Sequence, residues 1–368
     1  MQKSEFSSRQ KLSGNPFLHA FEAIQNESIE QLNDEYYKLD DEFADEGSTG
    51  RKGIYSESPF IAMVQEGVEL ESEVFGANQM MWVRNPLAVP NRWICRLDIR
   101  YEITPWSGGR RLRGSGRGTG TLIGNRHVLT AAHNIQMYDP VRKNYLRATR
   151  IMVTPAHNGS TSPPIMGVEA DLSRSRTPRG WQVARRIAAN GAANMAGEVA
   201  TNRHDYALLT LRRSIGQTQV RVLGSRLGYW GNNGSNGIAH FRRQNPTVLK
   251  DNKVFVAGYG YDNCVRTVRR VTATPGIPLG SQLIASGRLR LFRVRGKNSI
   301  FIGRSMAHDV DTCGGQSGAS VWIERNGVFD LVGIHTGAVS LSNGVRVNHT
   351  VRVTREFMRN VRYWQRHT

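Results

Sequence analysis

The 368-residue chain is short of several things that would otherwise set its class. It has three cysteines, Cys95, Cys264 and Cys313, too few for a disulfide framework and odd in number. No window approaches the ~18 apolar residues of a membrane-spanning helix, so no membrane partner is expected, and the opening MQKSEFSSRQ lacks the apolar core of a secretory signal. No pair of cysteines or histidines stands at ligand-like spacing, and the basic part of the chain has no local cluster of acids; neither a metal nor a cofactor is expected. Lysine is scarce, at 8 against 41 arginines. The arginines are scattered over strand-like and loop-like segments, without a basic helix, a zinc module or interleaved stacking aromatics, so nucleic acid is not an expected partner. A solvated basic surface, or one that draws in acidic substrates, is the plainer reading.

Acidic residues are present mainly at one end. Residues 1–73 hold 16 acids against 6 bases, a net of −10, and the remainder holds 14 acids against 43 bases, a net of +29. The two parts should attract each other. Between Asn15 and Ala44 the apolar Phe17, Leu18, Phe21, Ile24, Ile29, Leu32, Tyr36 and Leu39 recur at three and four, an amphipathic helix pattern. A turn-rich link from Glu46 to Ser58 and a second acidic stretch lead to a boundary at Glu73.

After Glu73 the texture changes to short β-prone runs punctuated by Gly, Pro and Asn. They are expected at Trp93–Tyr101, Gly118–Ile123, Ala148–Val153, Tyr206–Leu211, Val254–Gly258, Ser286–Val294, Ser299–Ile302, Ala319–Glu324, Phe329–His335 and Arg346–Val353. Without alternating helices this predicts antiparallel β structure. Thr354 to Gln365 reads as a closing helix, with Thr354 as N-cap and Phe357, Val361 and Trp364 on one face. No internal repeat is visible.

Chemistry concentrates in DTCGGQSGASVW, Asp311 to Trp322. A serine hydroxyl needs a base within reach and backbone N–H groups aimed at the oxyanion that forms. Gly314, Gly315 and Gly318 let the backbone turn so that the N–H groups of Gly315 and Ser317 converge. GTLIGNRHVLTAAHNI supplies a base at His133, and Asp205, just ahead of an apolar run in NRHDYALLTL, supplies a carboxylate to orient the imidazole. Each alone is weak evidence; the three together predict a triad of His133, Asp205 and Ser317.

These segments, with LVGIHTG at Leu331 to Gly337, PAHNG at Pro155 to Gly159 and VAGYG at Val256 to Gly260, resemble the chymotrypsin-fold serine peptidases, specifically the bacterial glutamyl endopeptidases of the V8-like kind. The resemblance runs from about Val74 to Trp364. It is weaker at His127, Leu129 and Ser160 to Asn202, and Ala319-Ser320 stands where the family usually has Ser-Pro. It implies an all-β fold of two antiparallel six-stranded barrels and a C-terminal helix over residues 74–368, dividing near 215–250. The acidic helical segment 1–73 precedes them as a propeptide or docking region.

The resemblance also implies an acyl-enzyme mechanism and a pocket in which Thr312 and His335 bind a glutamate side chain, aspartate being taken less well. The expected partners are polypeptides with acidic residues, and the chain's own N-terminal segment lying over a basic cleft until removed. Val74-Phe75-Gly76 resembles a mature start, and it follows Glu73, so the bond between Glu73 and Val74 is a candidate self-processing site, with Glu69 and Glu71 as alternatives. Family members are secreted, and the chain is expected to be a monomer. Two other readings stay open: broad or trypsin-like specificity, disfavoured because Thr312 and His335 supply no acid to the pocket, and a silent basic binding module. A bond between Cys264 and Cys313 is conceivable and is not relied upon.

Overall fold

The computed structural model describes residues 74, 77–105, 112–139, 144–182, 204–232, 239–245, 248–249, 252–289, 292–294, 297–299, 301–302, 305–340 and 346–368. The segment 1–73, with its expected helices, lies outside the described residues.

Among those residues the backbone forms two rings of six strands. The first comprises β1 (Ile94–Pro105), β2 (Leu112–Leu122), β3 (His127–Thr130), β4 (Asn144–Pro155), β5 (Val168–Arg176) and β6 (Ala207–Leu211). The strands follow one another in the order β1-β2-β3-β6-β5-β4, and β4 returns to pair with β1 from Cys95 to Pro105. The second comprises β7 (Val254–Gly258), β8 (Leu283–Gly287), β9 (Ser305–His308), β10 (Ser320–Arg325), β11 (Val328–Ser340) and β12 (Arg346–Arg352). Its order is β7-β8-β9-β12-β11-β10, with β10 returning to β7. The β8–β9 seam is a single antiparallel bridge, Leu289 to His308, beside a 3.2 Å bond from the Asp309 N–H to the Arg288 carbonyl. The two rings thus share one strand order, a repeat of topology that the sequence does not display.

Side-chain parity explains the first ring. Along β1, Leu97, Ile99 and Tyr101 are buried, and directly opposite them on β2 stand Gly118, Gly116 and Gly114. Large side chains on one strand face glycines on the next, so the narrow barrel fills without collision. A Cβ on Gly120 would lie 3.1 Å from the Leu129 carbonyl and 3.4 Å from a Leu97 methyl. Rings run from one barrel into the other: the buried Trp93 to Trp230 and Trp230 to Trp322 at 5.8 Å each, then Trp322 stacked on the half-buried Phe255 at 5.7 Å. The Trp93 and Trp230 indoles donate to the carbonyls of Leu227 and His240, each at 2.9 Å, so neither N–H is stranded.

Several expectations need correction. β5 and β9 are strands that the pattern did not announce. The run expected at Ser286–Val294 instead forms β8, which starts at Leu283 because Leu283 and Ala285 are its buried residues, and a separate strand at Phe292–Val294. Helix α1 (Asp262–Val271) was also unannounced; its short apolar stripe of Cys264, Val265 and Val268 is buried in the second barrel's core. Helix α2 (Arg355–His367) forms as expected, with the Thr354 hydroxyl accepting from the Phe357 N–H at 3.2 Å. Its exposed face carries Arg355, Arg359, Arg362 and Arg366, so the chain does possess a basic helix.

α2 follows the last strand of the second barrel yet packs on the first. Phe357 and Trp364 lie against Tyr206 with ring centroids 4.3 and 5.8 Å away, and Asn360 Nδ2 donates to the Tyr206 hydroxyl at 2.7 Å. Tyr206 is the neighbour of Asp205, so this helix braces the backbone that carries the candidate triad carboxylate.

Candidate active site

β3 runs into a short 3-10 helix, Ala132–Asn134, that carries His133. Ala131 and Ala132 are small enough to let this turn sink into the barrel end, and His133 is fully buried. The Asp205 carboxylate, also buried, grips the residue twice: Oδ1 accepts from the His133 backbone N–H at 2.9 Å, and Oδ2 faces ring Nδ1 at 2.7 Å. A buried carboxylate accepts from Nδ1–H, which fixes the tautomer and leaves Nε2 with its lone pair. One acid therefore sets both the backbone and the ring of His133.

Ser317 belongs to the second barrel, on the loop before β10. Gly315 and Gly318 have φ of +92° and +89°, where a side chain would be strained. Space agrees: a Cβ on Gly315 would be 2.7 Å from the Tyr259 carbonyl, and one on Gly318 would be 2.9 Å from the Ala131 amide. The loop presses against the first barrel and bonds to it. The Ser317 carbonyl accepts from the Thr119 N–H and from Asn134 Nδ2, both at 2.9 Å. The Thr119 hydroxyl donates to the Gly315 carbonyl at 3.1 Å and accepts from the Tyr259 N–H at 2.9 Å. From the other side, the Gly318 N–H donates to the His335 carbonyl at 2.7 Å.

With its carbonyls so occupied, the loop leaves the N–H groups of Gly315 and Ser317 without acceptors among the described residues. Two undirected donors beside a half-buried serine can receive an oxyanion. Ser317 Oγ itself makes no hydrogen bond among those residues. His133 and Asp205 are in direct contact, and the Ser317 carbonyl is bonded to Asn134, the residue after His133.

Thr312 and His335 are both buried, and Thr312 Oγ1 and His335 Nδ1 have no hydrogen-bond partner among the described residues. β11 carries a bulge between His335 and Gly337, and the consecutive side chains of His335 and Thr336 are both buried. Behind His335 lie two histidines that sequence reasoning missed. The His308 ring is 5.6 Å from that of His335, and His349 Nδ1 bonds with the Thr336 hydroxyl at 2.6 Å. Burial lowers the pKa of all three. His308 is brought to about 3, with repulsion from His349 adding to burial, and His349 to about 4. His335 is pushed well below its ordinary value by burial, then by His308, His349 and His133. The signal for these residues was present as parity: His308 and His349 sit opposite strand partners in β9 and β12, but neither strand's inward face was assigned.

The sulfurs of Cys264 and Cys313 are joined, pinning α1 to the loop four residues before Ser317, with Cα atoms 6.3 Å apart. Cys95 is a buried free thiol whose pKa burial raises, so it is an inert core residue. Glu73 lies outside the described residues. Val74 is exposed, and five residues later the Gln79 N–H donates to Asp311 Oδ2 at 2.7 Å, beside Thr312.

No family model and no curated protein matches the chain. Among solved structures, that of a Glu endopeptidase in complex with MPD matches with a TM-score of 0.50 at 21% identity, covering 79% of this chain and 98% of that one. The chain has the trypsin-like double-barrel fold. In that trypsin-like frame, His133 and Asp205 stand on the first barrel and Ser317 on the second.

Proposed function

We propose that the chain is a serine endopeptidase that prefers glutamate on the acyl side of the bond it cuts. The reading rests above all on the buried, two-point grip of Asp205 on His133, facing a nucleophile loop whose geometry frees two N–H groups. Ser317 Oγ attacks the scissile carbonyl carbon while His133 Nε2 takes the hydroxyl proton, and Asp205 stabilises the imidazolium. The carbonyl oxygen becomes an oxyanion held by the Gly315 and Ser317 N–H groups. Collapse of the tetrahedral adduct breaks the C–N bond, and His133 returns the proton to the departing amine. Water, deprotonated by His133, then hydrolyses the Ser317 ester and restores the enzyme.

The preference for glutamate is supported by two buried polar atoms, Thr312 Oγ1 and His335 Nδ1, that lack partners. A carboxylate loses hydration on entering a pocket and needs donors in return. His335 in its Nδ1–H form and the Thr312 hydroxyl are such donors, and His308 and His349 stand behind them as further groups able to respond to an added negative charge. Aspartate, one methylene shorter, would reach them less well. The decisive experiment is digestion of an unstructured protein by wild type and by Ser317→Ala, with the cut sites mapped. Serine-dependent cuts after Glu are expected; cuts after Arg or Lys would replace the specificity, and no cuts by a protein freed of residues 1–73 would remove the enzyme reading.

Release of residues 1–73 by cleavage between Glu73 and Val74 belongs to the same proposal, motivated by the Glu-Val junction and the −10 to +29 charge division. Intact-mass measurement of wild type and Ser317→Ala tests it. If both retain residue 1 while the wild type cleaves after Glu, self-processing is not part of the mechanism.

A further inference from the structure

Asn134 follows His133 directly, and its side chain is fully buried. Nδ2 lies 2.9 Å from Thr130 Oγ1 and 2.9 Å from the Ser317 carbonyl. The Thr130 hydroxyl donates its proton to the Thr119 carbonyl at 2.7 Å, so it can only accept from Asn134, and a carbonyl can never donate. Both neighbours therefore require the NH2 end of the amide, and the orientation of this side chain is fixed by the network around it. The opposite end, Oδ1, is buried without a partner among the described residues. An orphaned acceptor is a cost to stability, so the residue is poorly chosen as a mere core filler. The room it occupies exists because residue 118 is glycine: a Cβ there would stand 2.7 Å from Nδ2 and 2.9 Å from Cγ.

We propose that Asn134 is a positioning residue, whose amide ties the peptide of the nucleophile to the 3-10 turn that carries the base. This rests on the serine-peptidase reading above. The Ser317–Gly318 peptide is held at its oxygen by Thr119 and Asn134 from the first barrel and at its nitrogen by His335 from the second. Asn134 is the member of that set that is covalently next to His133. Its bond sets the placement of Ser317 relative to the imidazole across the line where the two barrels meet, and a small misplacement there is costly in rate.

The test is Asn134→Leu, which keeps the shape and deletes the donor, with Asn134→Ser as a second variant that withdraws the donor from reach should the first fail to fold. Folding is verified by near-UV circular dichroism, and two rates are measured: kcat for a Glu-containing peptide, and labelling of Ser317 by a fluorophosphonate. Expected is a fall of about 10- to 100-fold in both rates with KM within about twofold. A purely structural role would lower Tm and leave both rates of the folded variant within about twofold of wild type, and that result overturns the inference alone. A wild type freed of residues 1–73 that neither cleaves nor labels would overturn the serine-peptidase reading and the inference with it.

Discussion

The two barrels share a strand order but hold their chemistry by different means. In the first, a histidine and a carboxylate are set by side-chain bonds: Asp205 grips His133 through ring and backbone alike. In the second, Ser317 is set by backbone shape: glycines at positive φ, carbonyls bonded to Thr119 and Asn134, and a disulfide four residues upstream. The first arrangement should be sensitive to charge and tolerant of packing changes. The second should be sensitive to anything that alters the path of the chain.

Breaking the electrostatic half should have the largest effect. Asp205→Asn keeps the shape but favours the wrong imidazole tautomer, and a fall of about 10⁴-fold in kcat is expected from steady-state kinetics with the folded structure intact. A fall of less than tenfold would mean that the His133 tautomer is set elsewhere. In the backbone half, replacing Cys264 and Cys313 by alanine should cost about 2–4 kcal/mol in urea unfolding, since the bond closes a sequence separation of 49 residues. Activity should fall with it, because the released segment carries the proposed oxyanion donors. Next, His335→Leu should lower kcat/KM for a Glu substrate by about 10- to 100-fold while leaving an alanine analogue nearly unchanged, a difference that would sharpen the separate status of pocket and triad.

The smallest and broadest effect is on pH. His308, His335 and His349 have folded pKa values below the unfolded value, so the unfolded chain binds protons first as pH falls. Stability is therefore complete above about 6.5 and declines as pH drops toward 4, by at most about 1.4 kcal/mol per pH unit for each histidine. Thermal melts between pH 7 and 4 measure this. His349→Asn should flatten the slope, and an unchanged slope would place the acid sensitivity elsewhere.

The same contrast explains what could be read from the sequence. His133, Asp205 and Ser317 stood in short segments whose local chemistry is distinctive, a histidine after small residues, an acid before an apolar strand, a serine among glycines. Antiparallel β structure followed from strand punctuation, and the two barrels from the resemblance. Asn134 and Thr119 were invisible because their importance lies in bonds across 183 and 196 residues of chain, which no local pattern encodes. His308 and His349 were missed because a histidine on a strand looks the same facing inward or outward until the sheet's parity is known. The pairing of Cys264 with Cys313 was conceivable from sequence, but α1, which brings the two together, was itself unannounced.

One consequence of α2 concerns time rather than geometry. Every strand of the first barrel has been synthesised once Leu211 emerges, but Tyr206 remains without the rings of Phe357 and Trp364 until some 150 residues later, on the order of ten seconds at ordinary elongation rates. During that interval a nascent chain holds His133 and Asp205 without the brace beside Asp205, and Ser317 joins them only in its later part. The fold thereby makes completion of the candidate site wait on α2.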